Sequence, residues 1–220
     1  MSDVEKARTS QTQLVHNIPN VASRPTKIAN PGALGLFSFA STTFILSLYN
    51  VNARSIHTPN VVVGMACFSG GLAQFLAGMW EFPRGNIFGA TAFTSYGAFW
   101  MSYATILIPG SGVLSAYTSA DELSQALGIY LITCLFKVMG LKRLVSIGSL
   151  RRNLGLISLF VFLCVTFILL AVGAFNGSVS VTRAGGAFGI ITAWIAYYCG
   201  LSDLLVKEES WFTLPLGNIG

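Results

Sequence analysis

Six long apolar blocks leave this chain few folds to choose from. They run over residues 33–49, 61–80, 87–108, 126–141, 154–175 and 186–206, the fourth being the shortest. A helix of about 20 apolar residues crosses a hydrocarbon core. Within that core every backbone amide and carbonyl must bond inside the protein, so only helices and closed barrels span it. The blocks are too long and continuous for the alternating strands of a barrel. The reading is an all-α polytopic membrane protein with six transmembrane helices. Charge content agrees: 10% of the 220 residues are charged, where a soluble domain carries about 25%.

The connections between blocks carry turn chemistry, at 83–86, 109–112 and 176–178. Residues 1–29 are rich in Ser, Thr, Gln, Lys and Arg without an apolar run, the composition of a disordered tail. They lack the basic-then-apolar order of a signal peptide, so the first block is expected to stay as a span. The chain thus divides into a tail (1–29), a six-helix transmembrane domain (30–207) and a short C-terminal tail (208–220). Orientation follows from Lys and Arg. With the N-terminus inside, the inner segments hold Lys6, Arg8, Arg24, Lys27, Arg84, Lys142, Arg143, Arg151, Arg152 and Lys207, while the outer loops hold only Arg54 and Arg183. That bias puts both termini in the cytosol. It also accounts for the net charge of +5 without a nucleic-acid partner. Asn176-Gly177-Ser178 matches a glycosylation acceptor and falls outside, though hard against the membrane.

Chemistry-bearing clusters are missing from the sequence. Cys67, Cys134, Cys164 and Cys199 lie inside apolar blocks with no metal or redox spacing, and read as small apolar residues. There is no nucleophile–base pair, paired carboxylate, His cluster or phosphate loop, so transport is favoured over enzymology and no metal or cofactor is expected. The third block stands apart. From Gly85 to Tyr103 it has no ionised side chain and is rich in small hydroxyls and aromatics. At helical spacing Thr91, Ser95 and Ser102 share one face, and Ala92, Tyr96, Phe99, Trp100 and Tyr103 the adjacent one. Such a helix either packs within a bundle or lines a path, and spacing leaves both open. Glu81, Lys137 and Asp203 sit at or within block ends on the inner side. They either snorkel or pair at the interface, or Lys137 pairs with Asp203 or Glu81 and shapes an inner mouth. Gly85 with Gly89, Gly185 with Gly189, and the run Gly70, Gly71, Ala73 and Gly78 are packing surfaces, within a protomer or between protomers.

Two stretches carry a resemblance to a known family. Residues 68–81, FSGGLAQFLAGMWE, run into residues 85–100, GNIFGATAFTSYGAFW, and residues 30–36 read NPGALGL. Together they closely resemble the acetate uptake transporter family of bacteria and fungi, over nearly all of 30–206, and the polar tail is similar to that of fungal members. The family's helix-one motif usually reads NPAPLGL; here Ala33 replaces the second proline and Gly32 stands where Ala is usual. The resemblance implies a pore through each six-helix protomer and a homohexameric ring. It implies uptake of acetate and similar short monocarboxylates, coupled to protons, in the plasma membrane of a fungus. It also implies a hydrophobic constriction of Phe39, Tyr96 and Leu163. On that footing Thr91, Thr94, Ser95 and Asn30 are candidates for the substrate pathway, their polar groups bonding a carboxylate without the deep trap of a buried cation. An apolar constriction also favours the neutral acid, hence low pH. Two alternatives stay open: a pore for ammonia, ammonium or a urea-like neutral solute, and a membrane signalling component regulated through its tail.

Overall fold

The computed structural model describes residues 28–147, 152–205 and 210–219, with the side chains of 141–147, 152, 153, 218 and 219 left aside. Most of the expected N-terminal tail (1–27), Arg151 and Lys207 lie outside the described residues, as do the side chains of Lys142, Arg143 and Arg152. Six long helices are present: α1 (Gly32–Asn50), α2 (Val62–Glu81), α3 (Ile87–Leu107), α4 (Ala120–Ile147), α5 (Leu154–Phe175) and α6 (Val179–Leu204). Each packs on its neighbour in sequence, and α6 closes the ring against α1. By length and composition, five of them can cross a membrane; α3, the hydroxyl- and aromatic-rich one, is the exception.

Apolar content located the helices but misplaced some ends. The fourth runs over Ala120–Ile147 rather than 126–141. Its first turn carries Asp121 and Glu122, which suit the positive end of a helix dipole, and the Ser119 hydroxyl accepts from the Glu122 amide at 3.4 Å. Polar residues extend a helix there that hydropathy alone would cut short. The sixth begins at Val179 rather than 186, because the Ser178 hydroxyl caps it by accepting from the Val181 amide at 3.5 Å. The third starts as expected, capped by Asn86, which accepts from the Gly89 amide at 3.0 Å. Gly85 precedes that cap with φ +76°, so it serves the turn and makes no small-residue pair with Gly89 on the helix.

Within α2, residues Met65–Ala73 are wound as a π-helix. Its wide turn brings Gly70 against Thr42 of α1 and Trp100 of α3, with no room for a side chain. Gly78, one π-free turn beyond, lies against Thr94 of α3. On α6, Gly189 packs between Ser47 of α1 and Thr166 of α5, and Gly185 against Leu170 of α5. These glycines therefore seal helices within one protomer. The expected C-terminal tail is docked along its described part. Leu154 and Gly155 at the start of α5 donate to Gly217 and Leu216 at 3.1 and 3.2 Å, and residues 152 and 153 pair antiparallel with 219 and 218. The Tyr198 hydroxyl donates to Pro215 at 2.8 Å and Ser202 to Leu214 at 2.7 Å, tying this segment to α6.

Candidate functional site

Two cavities enter the ring from opposite ends. The first, of about 270 Å³, has its mouth where α1 and α3 begin and α2 and α6 end, at Asn30, Glu81, Arg84, Asn86 and Asp203; Gln74, Phe88 and Phe160 are among its walls. The second, of about 200 Å³, reaches Asn50, Leu107 and Thr182 at the other end, with Thr43, Trp100, Tyr130, Leu163 and Thr166 among its walls. Among the described residues the two share only Phe39 and Tyr96. Those rings meet with centroids 5.5 Å apart at 58° and are both buried. Helical spacing explains the neck. Leu36, Phe39 and Thr43 follow one face of α1, and Ala92, Tyr96, Phe99 and Trp100 follow one face of α3, so both faces turn inward around the ring.

The walls are mostly apolar, and some buried polar atoms in and near them have no partner among the described residues. Among the described residues these buried atoms are Thr43 Oγ1, Gln74 Oε1, Thr94 Oγ1, the Tyr96 hydroxyl and Trp100 Nε1. Leaving such a group unbonded costs about 1–3 kcal/mol. Four of the five belong to residues that line the cavities: Gln74 on the first, Tyr96 at the neck, Thr43 and Trp100 on the second. Together they offer hydrogen bonds at successive depths along one axis. At the first mouth, Arg84 Nη1 donates to Asn30 Oδ1 at 2.6 Å and to Glu81 Oε2 at 3.0 Å. Asn30 Oδ1 also accepts from the Gly32 amide at 3.0 Å, which fixes the entry to α1.

The sequence candidates separate as follows. Phe39 and Tyr96 form the neck, and Leu163 lines the second cavity in the same buried cluster. Asn30, Glu81 and Asp203 come together at the first mouth. Thr91, Thr94 and Ser95 line neither cavity. Thr91 is exposed and its hydroxyl donates to the Ile87 carbonyl of its own helix at 2.8 Å, while Thr94 faces Gly78 of α2. The aromatic face of α3, not its hydroxyl face, points inward. Lys137 is also apart from the other charges: Cys134, Leu135 and Val138 turn into the bundle and leave Lys137 exposed on the outer side of α4. Arg84 takes the place expected of Lys137. In the sequence Arg84 carries only an orientation signal, and Gln74 shows as no more than a lone amide within an apolar block. Among the described residues no group of three or more His, Cys, Asp or Glu could hold a metal ion.

Comparison with known proteins gives a consistent set of likenesses. The sequence profile of the GPR1/FUN34/yaaH family matches residues 15–219. The chain is 44% identical over 204 residues to ammonia transport outward protein 2 of Saccharomyces cerevisiae, covering 90% of this chain and 71% of that one. It is 38% identical over 203 residues to acetate permease A of Emericella nidulans, covering 87% and 67%. It is 35% identical over 193 residues to the succinate-acetate/proton symporter SatP of Escherichia coli, covering 88% and 97%. The solved structure of the bacterial acetate channel SatP superposes with a TM-score of 0.75 at 34% identity, over 87% of this chain and 100% of that one.

Proposed function

The chain belongs to the GPR1/FUN34/yaaH family, and on that footing we propose that it carries acetate and similar short monocarboxylates across a membrane through the ring of each protomer. The observation that carries this reading is the pair of cavities that meet only at Phe39 and Tyr96. Acetate is a methyl group joined to a carboxylate. A short aromatic neck accepts the methyl end and strips hydrated ions, which pay heavily for desolvation. The unpartnered groups of Tyr96, Trp100 and Thr43 can take the carboxyl oxygens in turn, weakly enough for release. The neck also passes the neutral acid more readily than the anion. A carboxyl group titrates near about pH 4, so the neutral form grows as pH falls and uptake rises with it.

The domain assignment (30–207), cytosolic termini and a fungal plasma membrane belong to the same proposal, with Asn30, Glu81, Arg84 and Asp203 at the inner mouth. So does a transporter rather than an enzyme as the molecule's class. A homohexameric ring belongs to the same proposal, on the family's footing alone. Labelled-acetate uptake into vesicles holding the purified chain tests the function. Uptake should rise as pH falls, and Tyr96→Ala should flatten that dependence by letting water and the anion through the widened neck. Uptake indifferent to pH and unaltered by Tyr96→Ala would sink the reading. Passage of ammonia is the second reading, favoured by the name of the 44% identical yeast relative. Competition by methylammonium, and none by propionate, would decide for it.

A further inference from the structure

We propose that Asp203 is a proton-carrying residue of the first cavity, held beside the Glu81–Arg84 ion pair in a niche that Gly32 leaves open, where it exchanges a proton with the substrate's carboxyl group. This rests on the carboxylate reading of the pore. Glu81 is only 1% exposed and its carboxylate is bonded by Arg84 at 3.0 Å. A methyl group on Gly89 would stand 3.3 Å from the Glu81 carboxyl carbon, and one on Gly32 would stand 3.5 Å from its Oε1. The Gly32 methyl would also stand 2.7 Å from Asp203 Oδ2 and 3.0 Å from Asn30 Oδ1. The two carboxyl oxygens are therefore at most about 6 Å apart, within the range at which like charges interact strongly. A side chain at position 32 would push the Asp203 carboxyl out of the cluster.

Among the described residues, charge does not balance there without a proton. Glu81 comes from α2, Arg84 from the turn after it, Asn30 from the segment before α1 and Asn86 from the start of α3. Leu156, Leu159 and Phe160 of α5 add no charge, and Cys199 stands one turn before Asp203 on α6. Lys137 faces away. Among the described residues, one guanidinium thus faces two carboxyls. Arg84 is bonded to Glu81, and the exchanged proton is assigned to the second carboxyl, Asp203.

A separate observation gives that proton a use. Gln74 Oε1 lines the same cavity, is as buried as Glu81, and has no donor among the described residues. An oxygen acceptor gains nothing from a carboxylate ion. A carboxylic acid can donate its O–H to Gln74 while its carbonyl accepts from the Tyr96 hydroxyl. In the exchange the O–H bond of the Asp203 carboxyl breaks and one forms on the substrate carboxylate, with no change of oxidation state. The reverse step delivers the proton, and water at the mouth reloads or unloads Asp203.

The experiment uses the full chain in proteoliposomes, with labelled acetate and an enclosed pH dye, over about pH 5 to 7.5 and each variant normalised to its own rate at the acid end. In the wild type, flux should fall less steeply than the concentration of neutral acetic acid. In Asp203→Asn it should follow the neutral acid, about tenfold per pH unit. Gly32→Ala should shift the profile in the same direction, and Asp203→Glu should return it towards the wild type. A wild-type profile in Asp203→Asn overturns the proposal, as does equal loss in Asp203→Asn and Asp203→Glu at every pH, the mark of a structural role. If Asp203→Asn does not elute as the wild-type assembly, Gly32→Ala alone decides, and a wild-type profile there overturns it. No acetate flux in the wild type at any pH overturns the carboxylate reading itself, and this proposal with it.

Discussion

Thr94 and Tyr96 share a chemistry: each buries a hydroxyl with no partner among the described residues, two positions apart on α3. Their neighbours separate them. Tyr96 stands at the neck against Phe39, and Thr94 stands against Gly78, away from both cavities. Removing an unsatisfied buried hydroxyl while keeping its shape is neutral or stabilising. Tyr96→Phe and Thr94→Val should therefore both keep or raise the thermal midpoint of the purified protein. Their fluxes should part. Tyr96→Phe loses a hydrogen bond to a passing carboxyl, worth about 1.5 kcal/mol or somewhat more when the group is charged, so acetate flux falls by about tenfold. Thr94→Val should carry acetate as the wild type does. Equal flux in Tyr96→Phe and the wild type, by the vesicle assay, would remove the hydroxyl from the pathway and leave the ring as the only contribution of that residue.

At the scale of helices, small residues decide how closely the ring can draw together. Gly189 of α6 is wedged between Ser47 of α1 and Thr166 of α5, where a methyl group would run into the Ser47 hydroxyl. Overpacking such a seam costs about 1–3 kcal/mol. Gly189→Ala should lower thermal stability by that order, and adding Ser47→Ala should recover much of it, since the oxygen in the way is then gone. Additive losses, read by thermal melts of the four proteins in the cycle, would mean the helices meet differently. The same scale shows what the sequence could and could not display. Apolar runs located every helix, because a span in lipid must be apolar along its length. They missed the first turns of α4, which carries Asp121 and Glu122, and of α6, which is set by the Ser178 cap. Spacing correctly grouped the hydroxyls of α3 on one face and its aromatics on another, yet spacing carries no direction. Only packing against α2 shows that the aromatic face turns inward. Glu81 and Asp203 were legible as inner-mouth charges, but their cation and the space between them were not. Arg84 lies in a turn, and Gly32 has no side chain to announce the space it leaves.

At the scale of the molecule, the ends of the ring differ in chemistry, and that difference bears on direction. One end gathers Asn30, Glu81, Arg84 and Asp203 at the first mouth; the other carries Arg54 in the loop after α1 and Arg183 on α6. The stretches of sequence joined to the first end hold most of the chain's Lys and Arg. Cytosolic loops collect these residues, since translocating them is unfavourable. The first mouth is thus expected to open to the cytosol and the second cavity to the outside, with acid entering past Trp100 and Tyr96 before it meets Asp203. Single cysteines in a background lacking Cys67, Cys134, Cys164 and Cys199 can read this directly. Ser115, in the loop between α3 and α4, is exposed at the second end, and the 1–29 segment leads into the first. In sealed cells an impermeant maleimide should label Ser115→Cys and spare Ser10→Cys until the membrane is opened. The opposite pattern would turn the protein over, make the Asp203 cluster an entrance rather than an exit, and reverse the direction in which its proton is handed on.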